Sequence, residues 1–168
     1  MRALIQRVKW ASVEVVKDSG MHVVGRIEHG LLVYVGVAVG DEASHAGRLA
    51  EKVANLRVFP DAEGKLNLSV RDTRGGVLVV SNFTLLGDAR KGRRPAFVAA
   101  APAEQAEGVH ETFIRELRNQ GLHVATGVFG ADMTVGSAAD GPVNIIVDVP
   151  ETPSSVTENR HSEVIHKQ

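Results

Sequence analysis

The amino-terminal part of the chain alternates between apolar and polar positions in short runs, which is typical of β-strands. The runs are ALIQRV at 3–8, SVEVV at 12–16 and MHVVGRI at 21–27. A fourth run, GLLVYVGVAV at 30–39, is apolar at nearly every position. Because a strand that is buried on both faces has no polar side to show, this run predicts such a strand.

Two later segments change to the period of a helix. After Asp41, a candidate N-cap, apolar residues recur every three or four positions. They are Ala46, Leu49, Ala50, Val53 and Leu56. A second helix is predicted after Pro102, with Gly121 well placed to end it. Its apolar face is formed by Ala106, Val109, Phe113 and Leu117.

The remaining segments predict more strands. GGVLVVSNFTLL at 75–86 is the strongest of them, and DAEGKLNLS at 61–69 predicts a turn or short hairpin. LHVATGVF, MTVGS and PVNIIVDV close the pattern, within residues 122–149. Strands grouped at both ends, with two separate helices, predict a single α+β domain over residues 1–149. Residues 150–168 are polar and aperiodic, so we expect a mobile tail there.

Composition narrows the function class. A chain of 168 residues suits one domain, and 19 basic against 20 acidic residues give a net charge of −1. Any nucleic-acid surface must therefore be a local patch. The absence of cysteine excludes disulfides and thiolate chemistry, and the scattered histidines predict no metal centre or cofactor. No run is long enough to cross a membrane and no signal peptide is evident, so we expect a cytoplasmic protein.

Polar side chains stand where the apolar run VLVV at 77–80, within the strongest predicted strand, ends. Ser81-Asn82-Phe83-Thr84 offers two hydroxyls, an amide and a flat ring, which could bind a base and an ester. Strand periodicity also allows a plainer interpretation, with Phe83 in the core and the polar residues facing solvent. The next loop carries Arg90, Lys91, Arg93 and Arg94. Such a run is either a solvated loop or a site for the phosphates of a nucleic-acid strand.

The pair Gly141-Pro142 precedes the last predicted strand. Glycine adopts backbone conformations closed to other residues, proline fixes φ, and an X-Pro bond is where a cis peptide costs little. A Gly-Pro pair also commonly marks a loop that ends where a strand begins. The pattern alone leaves both interpretations open.

Together these motifs resemble those of the D-aminoacyl-tRNA deacylases. SNFTL at 81–85, followed by DARKGRRP at 88–95, is similar to that family's Ser-Gln-Phe-Thr-Leu motif and downstream loop. ADGPVN at 139–144 is similar to its Asn-x-Gly-Pro-Val-Thr motif. MRALIQRV, KVANLRVF and FGADM also resemble the family. The resemblance runs in order from residue 1 to about residue 149.

The resemblance implies a homodimer with a mainly antiparallel, barrel-like sheet and two helices. It implies hydrolysis of the ester between a D-amino acid, or glycine, and the terminal adenosine of tRNA. Gly141-Pro142 would be cis and would enter the partner's active site, where backbone carbonyls exclude L-amino acids. The implied substrate-binding residues are Gly141, Pro142, Arg7, Phe129 and Met133, with Arg7 bracing the Gly-Pro segment. The implied catalytic residues are Ser81, Asn82, Phe83 and Thr84, and the tRNA-binding residues are Arg90, Lys91, Arg93 and Arg94.

Two catalytic routes follow from the resemblance. In one, water attacks with help from the RNA 2′-hydroxyl, and N–H groups near Phe83 and Thr84 hold the oxyanion. In the other, Thr84 is the nucleophile, but no base adjacent in sequence could activate it, which favours the first route. The chain departs from the family pattern at Asn82, Ala139 and Asn144. Two other functions therefore stay open: RNA binding without hydrolysis, and removal of mischarged L-aminoacyl groups.

Overall fold

The computed structural model of the chain describes residues 1–17 and 20–150. Apart from Pro150, the predicted tail lies outside the described residues. The strands and helices are β1 (Arg2–Lys17), β2 (Gly20–Ile27), β3 (Gly30–Gly36), α1 (Ala43–Asn55), β4 (Phe59–Pro60), β5 (Leu66–Leu68), β6 (Gly76–Ser81), a 3₁₀ helix (Phe83–Leu86), α2 (Ala103–Asn119), β7 (His123–Thr126) and β8 (Met133–Asp148). Within the described residues, no helix combines the length and apolarity needed to cross a membrane.

The long strand β1 organises a six-stranded sheet, in which five strands follow the order β2-β1-β3-β6-β7 and the sixth, β8, pairs with β1. β1 pairs antiparallel with β8 along much of its length. It also pairs antiparallel with β3 through residues 2–8 and with β2 through residues 11–17. β3–β6 and β6–β7 are parallel. The sheet curls until β2 meets β7, where a Cβ placed on Gly25 would lie only 2.5 Å from the Thr126 carbonyl oxygen. The barrel-like α+β fold with two helices is therefore confirmed.

Strand β3 separates two apolar clusters, because its successive side chains point to opposite faces. Leu31 and Val33 pack on the cluster that includes α1 and α2, with Leu49 and Phe113 among the helical residues. Leu32 packs on the second cluster, inside the curled sheet. This arrangement confirms that the strand is buried on both faces, but the strand ends at Gly36 and does not extend over the whole predicted run of 30–39.

Both predicted helices are present, but the first begins differently from the prediction. Glu42 is the N-cap of α1, and it forms a capping box with His45. Asp41 is buried and accepts a hydrogen bond from the Met1 amino group at 2.7 Å and another from the Ala38 N–H at 2.6 Å. Because a buried ammonium group needs a charged partner, Asp41 serves the chain terminus rather than the helix. Leu56 follows the last helical residue as the C-cap.

Candidate active site

A cavity of about 480 Å³ opens beside the carboxyl ends of the parallel strands β3 and β6. Its other walls come from α2 and from the segment before β8. The lining residues are Val35, Val37, Ser81, Asn82, Phe83, Ala101, Ala103, Ala106, His110 and residues 129–133. Ligands often bind outside the carboxyl ends of parallel strands, and this volume suits a nucleoside-sized molecule.

Five of the predicted site residues meet in this cavity. They come from two distant segments: Ser81, Asn82 and Phe83 from the end of β6, and Phe129 and Met133 from the start of β8. Thr84, Arg7, Gly141, Pro142 and the four loop cations are not among the residues that line it. The chain therefore brings part of the predicted site together within one subunit.

Phe83 is 58% exposed, so the interpretation that placed its ring in the core is wrong. The predicted strand over 75–86 ends at Ser81, and a 3₁₀ helix begins at Phe83. This break in the two-residue period turns the Phe83 side chain away from the core. Its ring lies edge-on to Phe97, with the centroids 5.2 Å apart. The ring is thus available at the cavity wall.

Asn82 caps the 3₁₀ helix. Its Oδ1 accepts a hydrogen bond from the Thr84 N–H at 3.0 Å and a second one from the Thr84 hydroxyl. The Thr84 hydroxyl therefore donates to an amide oxygen, which is not a base that could take its proton. The Asn82 side chain, one methylene shorter than the glutamine of the motif that SNFTL resembles, suits this local contact.

Arg7 holds the segment that contains Gly141-Pro142. It is buried, its Nε donates to the Asp140 carbonyl at 3.1 Å and its Nη1 donates to the Val58 carbonyl at 2.6 Å. Nε also lies 3.1 Å from the Asp140 carboxylate. The peptide bond between Gly141 and Pro142 is cis, and the Gly141 φ of +118° is one that favours glycine. Both residues are exposed.

The same segment interrupts the ladder between β1 and β8. Gln6 pairs with Asn144 and Val8 pairs with Ala139, so residues 140–143 stand opposite Arg7 alone. A bulge of this kind leaves residues unpaired and displaces the strand locally. The predicted turn is therefore an interruption within one long strand.

The cationic loop adjoins the cavity through Phe97. Its ends are joined by backbone hydrogen bonds between Asp88 and Ala96, and the next residue, Phe97, contacts Phe83. Arg90 forms a two-pronged ion pair with Asp88, at 2.9 and 2.7 Å. Hydrogen bonds from Arg90 lower the pKa of Asp88 to about 2. Lys91, Arg93 and Arg94 are exposed.

His110, which no motif in the sequence indicated, lies in the cavity wall. It is 5% exposed, and its ring centroid lies 5.6 Å from that of Phe129. Burial lowers the pKa of His110 to about 4, so the ring is neutral at pH 7. Its position four residues after Ala106 on the predicted helix was the available signal. Among the described residues, no group of three or more His, Asp or Glu side chains is arranged to hold a metal ion.

Comparison with known proteins shows which family the chain is similar to. The family model described as D-Tyr-tRNA(Tyr) deacylase matches residues 4–148. The D-aminoacyl-tRNA deacylase of Thermus aquaticus is 51% identical over 92% of this chain and 99% of its own. That of Anaeromyxobacter dehalogenans is 54% identical over 88% of this chain and 97% of its own.

Two solved structures share the fold. One, described as a c-Myc DNA unwinding element binding protein, has a TM-score of 0.82 at 39% identity and covers 90% of this chain and 100% of its own. The other, described as "a probable eukaryotic D-amino acid tRNA deacylase", has a TM-score of 0.75 and covers 88% of this chain and 98% of its own. At 16% identity, the second supports the fold alone.

Proposed function

The chain belongs to the D-Tyr-tRNA(Tyr) deacylase family and is a D-aminoacyl-tRNA deacylase, and from this premise we propose how its cavity is used. The terminal adenosine and the ester bind in the cavity lined by Ser81, Asn82 and Phe83, and hydrolysis releases the free amino acid and the tRNA. The observation that carries this proposal is the meeting of residues 81–83 with Phe129 and Met133 in one cavity of suitable size.

We further propose that Gly141-Pro142 selects the substrate by its chirality. Main-chain atoms held in a fixed place can exclude the side chain of an L-amino acid while they accept D-amino acids and glycine, since exclusion needs only a clash. Glycyl-tRNA charged on a non-cognate tRNA would then be a second substrate, and chiral proofreading the biological role. Two observations support a fixed segment: Arg7 bonds to the Asp140 carbonyl, and a Cβ on Gly141 would lie 2.9 Å from the Arg7 Nη2.

In this proposal the segment acts in the active site of a second copy of the chain. Gly141 and Pro142 are exposed and do not line the cavity of their own subunit. The β1–β8 pair that carries them also exposes apolar side chains, Trp10 and Ile146. Because exposed apolar residues beside a projecting segment favour a protein interface, these observations support a homodimer.

For catalysis, we propose attack by water with help from the 2′-hydroxyl of the terminal adenosine. The Thr84 hydroxyl donates to Asn82, which supports this route over a threonine nucleophile. The Thr84 N–H also donates to Asn82. Since the first N–H groups of a helix have no acceptor within it, the Phe83 N–H is the better placed oxyanion donor.

The loop cations are proposed to hold the acceptor end of the tRNA. Backbone hydrogen bonds join the two ends of their loop, and the next residue, Phe97, contacts Phe83, so a strand whose terminal base enters the cavity would pass close to the loop. The charge of Arg90 is offset by Asp88, which leaves Lys91, Arg93 and Arg94 to supply the field at the phosphates. We also propose that the enzyme acts in the cytoplasm, because its substrate class is aminoacyl-tRNA.

Turnover of D-Tyr-tRNA and L-Tyr-tRNA at catalytic enzyme concentration tests the proposed function. We expect many turnovers with the D-ester and none above the spontaneous rate with the L-ester. Binding of both tRNAs without turnover would instead indicate an RNA-binding protein. Faster hydrolysis of the L-ester would indicate a deacylase for mischarged L-amino acids, and it would remove the chirality proposal.

A further inference from the structure

His110 is the buried polar side chain on the cavity face of α2. The residues of this helix that line the cavity are Ala103, Ala106 and His110, at the spacing of one helical face. The two alanines keep the wall recessed, and the imidazole supplies hydrogen-bonding atoms beyond them. A polar ring at this position faces a ligand site rather than bulk solvent.

The state of His110 is unusual for a residue with a purely structural role. Its side chain is almost fully buried, and Nε2 has no hydrogen-bond partner among the described residues. Buried polar atoms are nearly always paired, and an unpaired one in a native structure calls for an explanation. Because the ring is neutral at pH 7, one of its nitrogens donates a hydrogen bond and the other accepts one.

The surroundings of His110 define the chemical class of its partner. Val35, Val37 and Ala106 are apolar residues that line the same cavity, and Phe129 places an aromatic ring beside the imidazole. A flat heteroaromatic group with polar atoms along its edge fits such a slot. In an aminoacyl-tRNA, adenine is that group, and it is the same in every substrate, whereas the amino acid side chain varies.

We propose that His110 is a specificity-determining residue that hydrogen-bonds the edge of the terminal adenine through Nε2. The inference rests on the proposed function of the cavity and adds a recognition residue to it. As the base enters beside Phe129, the imidazole turns about its Cβ–Cγ bond, and Nε2 pairs with one polar atom of the base. The ester then lies toward Ser81 and Phe83.

The test combines changes in the residue with changes in the base. His110→Phe keeps a ring of similar size but removes both nitrogens, and His110→Gln keeps a donor and an acceptor. D-Tyr-tRNA is prepared with terminal adenosine, purine riboside, 1-deazaadenosine, 3-deazaadenosine or 7-deazaadenosine, so that each edge atom is removed in turn. With the one analogue that lacks the atom bound by Nε2, the wild-type kcat/KM should be roughly three- to tenfold lower than with adenosine. This factor corresponds to the loss of one hydrogen bond.

With terminal adenosine, the kcat/KM of His110→Phe should be lower than that of the wild type by about the same factor. Replacing adenosine with that analogue should lower the kcat/KM of His110→Phe no further, because the hydrogen bond is already absent. His110→Gln should recover part of the lost kcat/KM. If His110→Phe does not fold, the same set of analogues is measured with His110→Gln instead. Thr112→Val, which removes an exposed hydroxyl elsewhere on α2, should match the wild type throughout. If His110→Phe discriminates among the analogues as the wild type does, the inference is wrong. Wild-type turnover of D-Tyr-tRNA would still stand, so the two failures are distinguishable.

Discussion

At the scale of single residues, Thr84 separates the two catalytic routes. Its hydroxyl donates to Asn82 Oδ1, and its side chain is exposed outside the cavity lining. We therefore expect Thr84→Ala to keep kcat within about tenfold of the wild type, the loss reflecting one neutral hydrogen bond at the Asn82 cap. A single-turnover assay with D-Tyr-tRNA measures it.

The matched substrate is a tRNA that ends in 2′-deoxyadenosine with the amino acid on the 3′-oxygen. If the RNA assists the attack, this ester should be hydrolysed far more slowly by the wild-type enzyme. A loss of several orders of magnitude in Thr84→Ala, with tRNA binding intact and the deoxy ester hydrolysed normally, would establish the threonine route.

His110 gives a second expectation at this scale, on stability. Its pKa is about 6.5 when unfolded and about 4 when folded, because burial opposes the charged form. Between these values the unfolded chain binds a proton that the native protein does not, so the free energy of unfolding falls as pH falls. From pH 7 to pH 5 the wild type should lose about 2 kcal/mol through this residue, which His110→Phe should not lose.

Urea unfolding of both proteins at pH 7 and pH 5 checks this expectation. The lowered pKa values of Asp61, Asp72 and Asp88 do not interfere. A carboxylate with a lowered pKa contributes stability above its unfolded pKa of about 3.8 and loses it only as pH falls further. If the two proteins differ in unfolding free energy by the same amount at pH 7 and at pH 5, His110 does not have the lowered pKa.

At the scale of elements, strand β1 offers a matched pair of arginines that face β8. Arg7 has a side chain 10% exposed and bonds to Asp140 and to the Val58 carbonyl, whereas Arg2 is 40% exposed and pairs with Asp148. Arg7→Met should lower the free energy of unfolding by about 1–3 kcal/mol, because it leaves buried acceptors unpaired. Arg2→Met should cost under about 1 kcal/mol, since its ion pair is screened by solvent.

Urea unfolding compares the two variants, and hydrogen exchange locates the effect. In Arg7→Met, amide exchange should accelerate in the paired residues that flank the segment, 137–139 and 144–146, whereas in Arg2→Met it should not. Equal losses of stability in the two variants would mean that Arg7 does not anchor this segment.

The sequence predicted the elements whose signal is local and missed those set by distant pairing. Both helices and the doubly buried β3 follow from the period of the chain itself. The continuity of β8 through residues 139–144 was not predicted, because it depends on pairing with β1 on both sides of the bulge. The strand end at Ser81 was placed too late, since apolar Phe83–Leu86 continues the strand composition while the Asn82 cap bends the backbone.

The candidate site was predictable only in part, for a similar reason. The motif at 81–84 was indicated by its own side chains as well as by the family resemblance, whereas Phe129 and Met133 came from the resemblance alone. The fold brings five of these six residues to one cavity. His110 was not predicted, because one polar residue on an apolar helix face forms no recognisable motif. That Nε2 has no hydrogen-bond partner within residues 1–17 and 20–150 is a property of tertiary packing, which no spacing along the chain records.

At the scale of the whole molecule, the Gly141-Pro142 segment is not among the residues that line the cavity of its own subunit. If the segment acts across a dimer, two different variants can complement each other. Pro142→Ala should weaken the filter, so that its homodimer hydrolyses L-Tyr-tRNA. Ala106→Trp should fill the cavity with an indole and leave an inactive subunit that still carries an intact Gly141-Pro142 segment. Each expectation is checked first on the homodimer alone.

Mixed dimers then decide whether the segment acts in its own subunit or in its partner. When Pro142→Ala is refolded with a threefold excess of Ala106→Trp, random pairing gives about three quarters of the Pro142→Ala subunits a partner with an intact segment. Acting across the interface, that segment restores exclusion, and L-Tyr-tRNA hydrolysis per Pro142→Ala subunit should fall to about a quarter. Hydrolysis of D-Tyr-tRNA by the same subunits should persist, which controls for inactivation on mixing. If L-Tyr-tRNA hydrolysis is unchanged by the excess, or if light scattering finds an active monomer, the segment does not work in the partner's site.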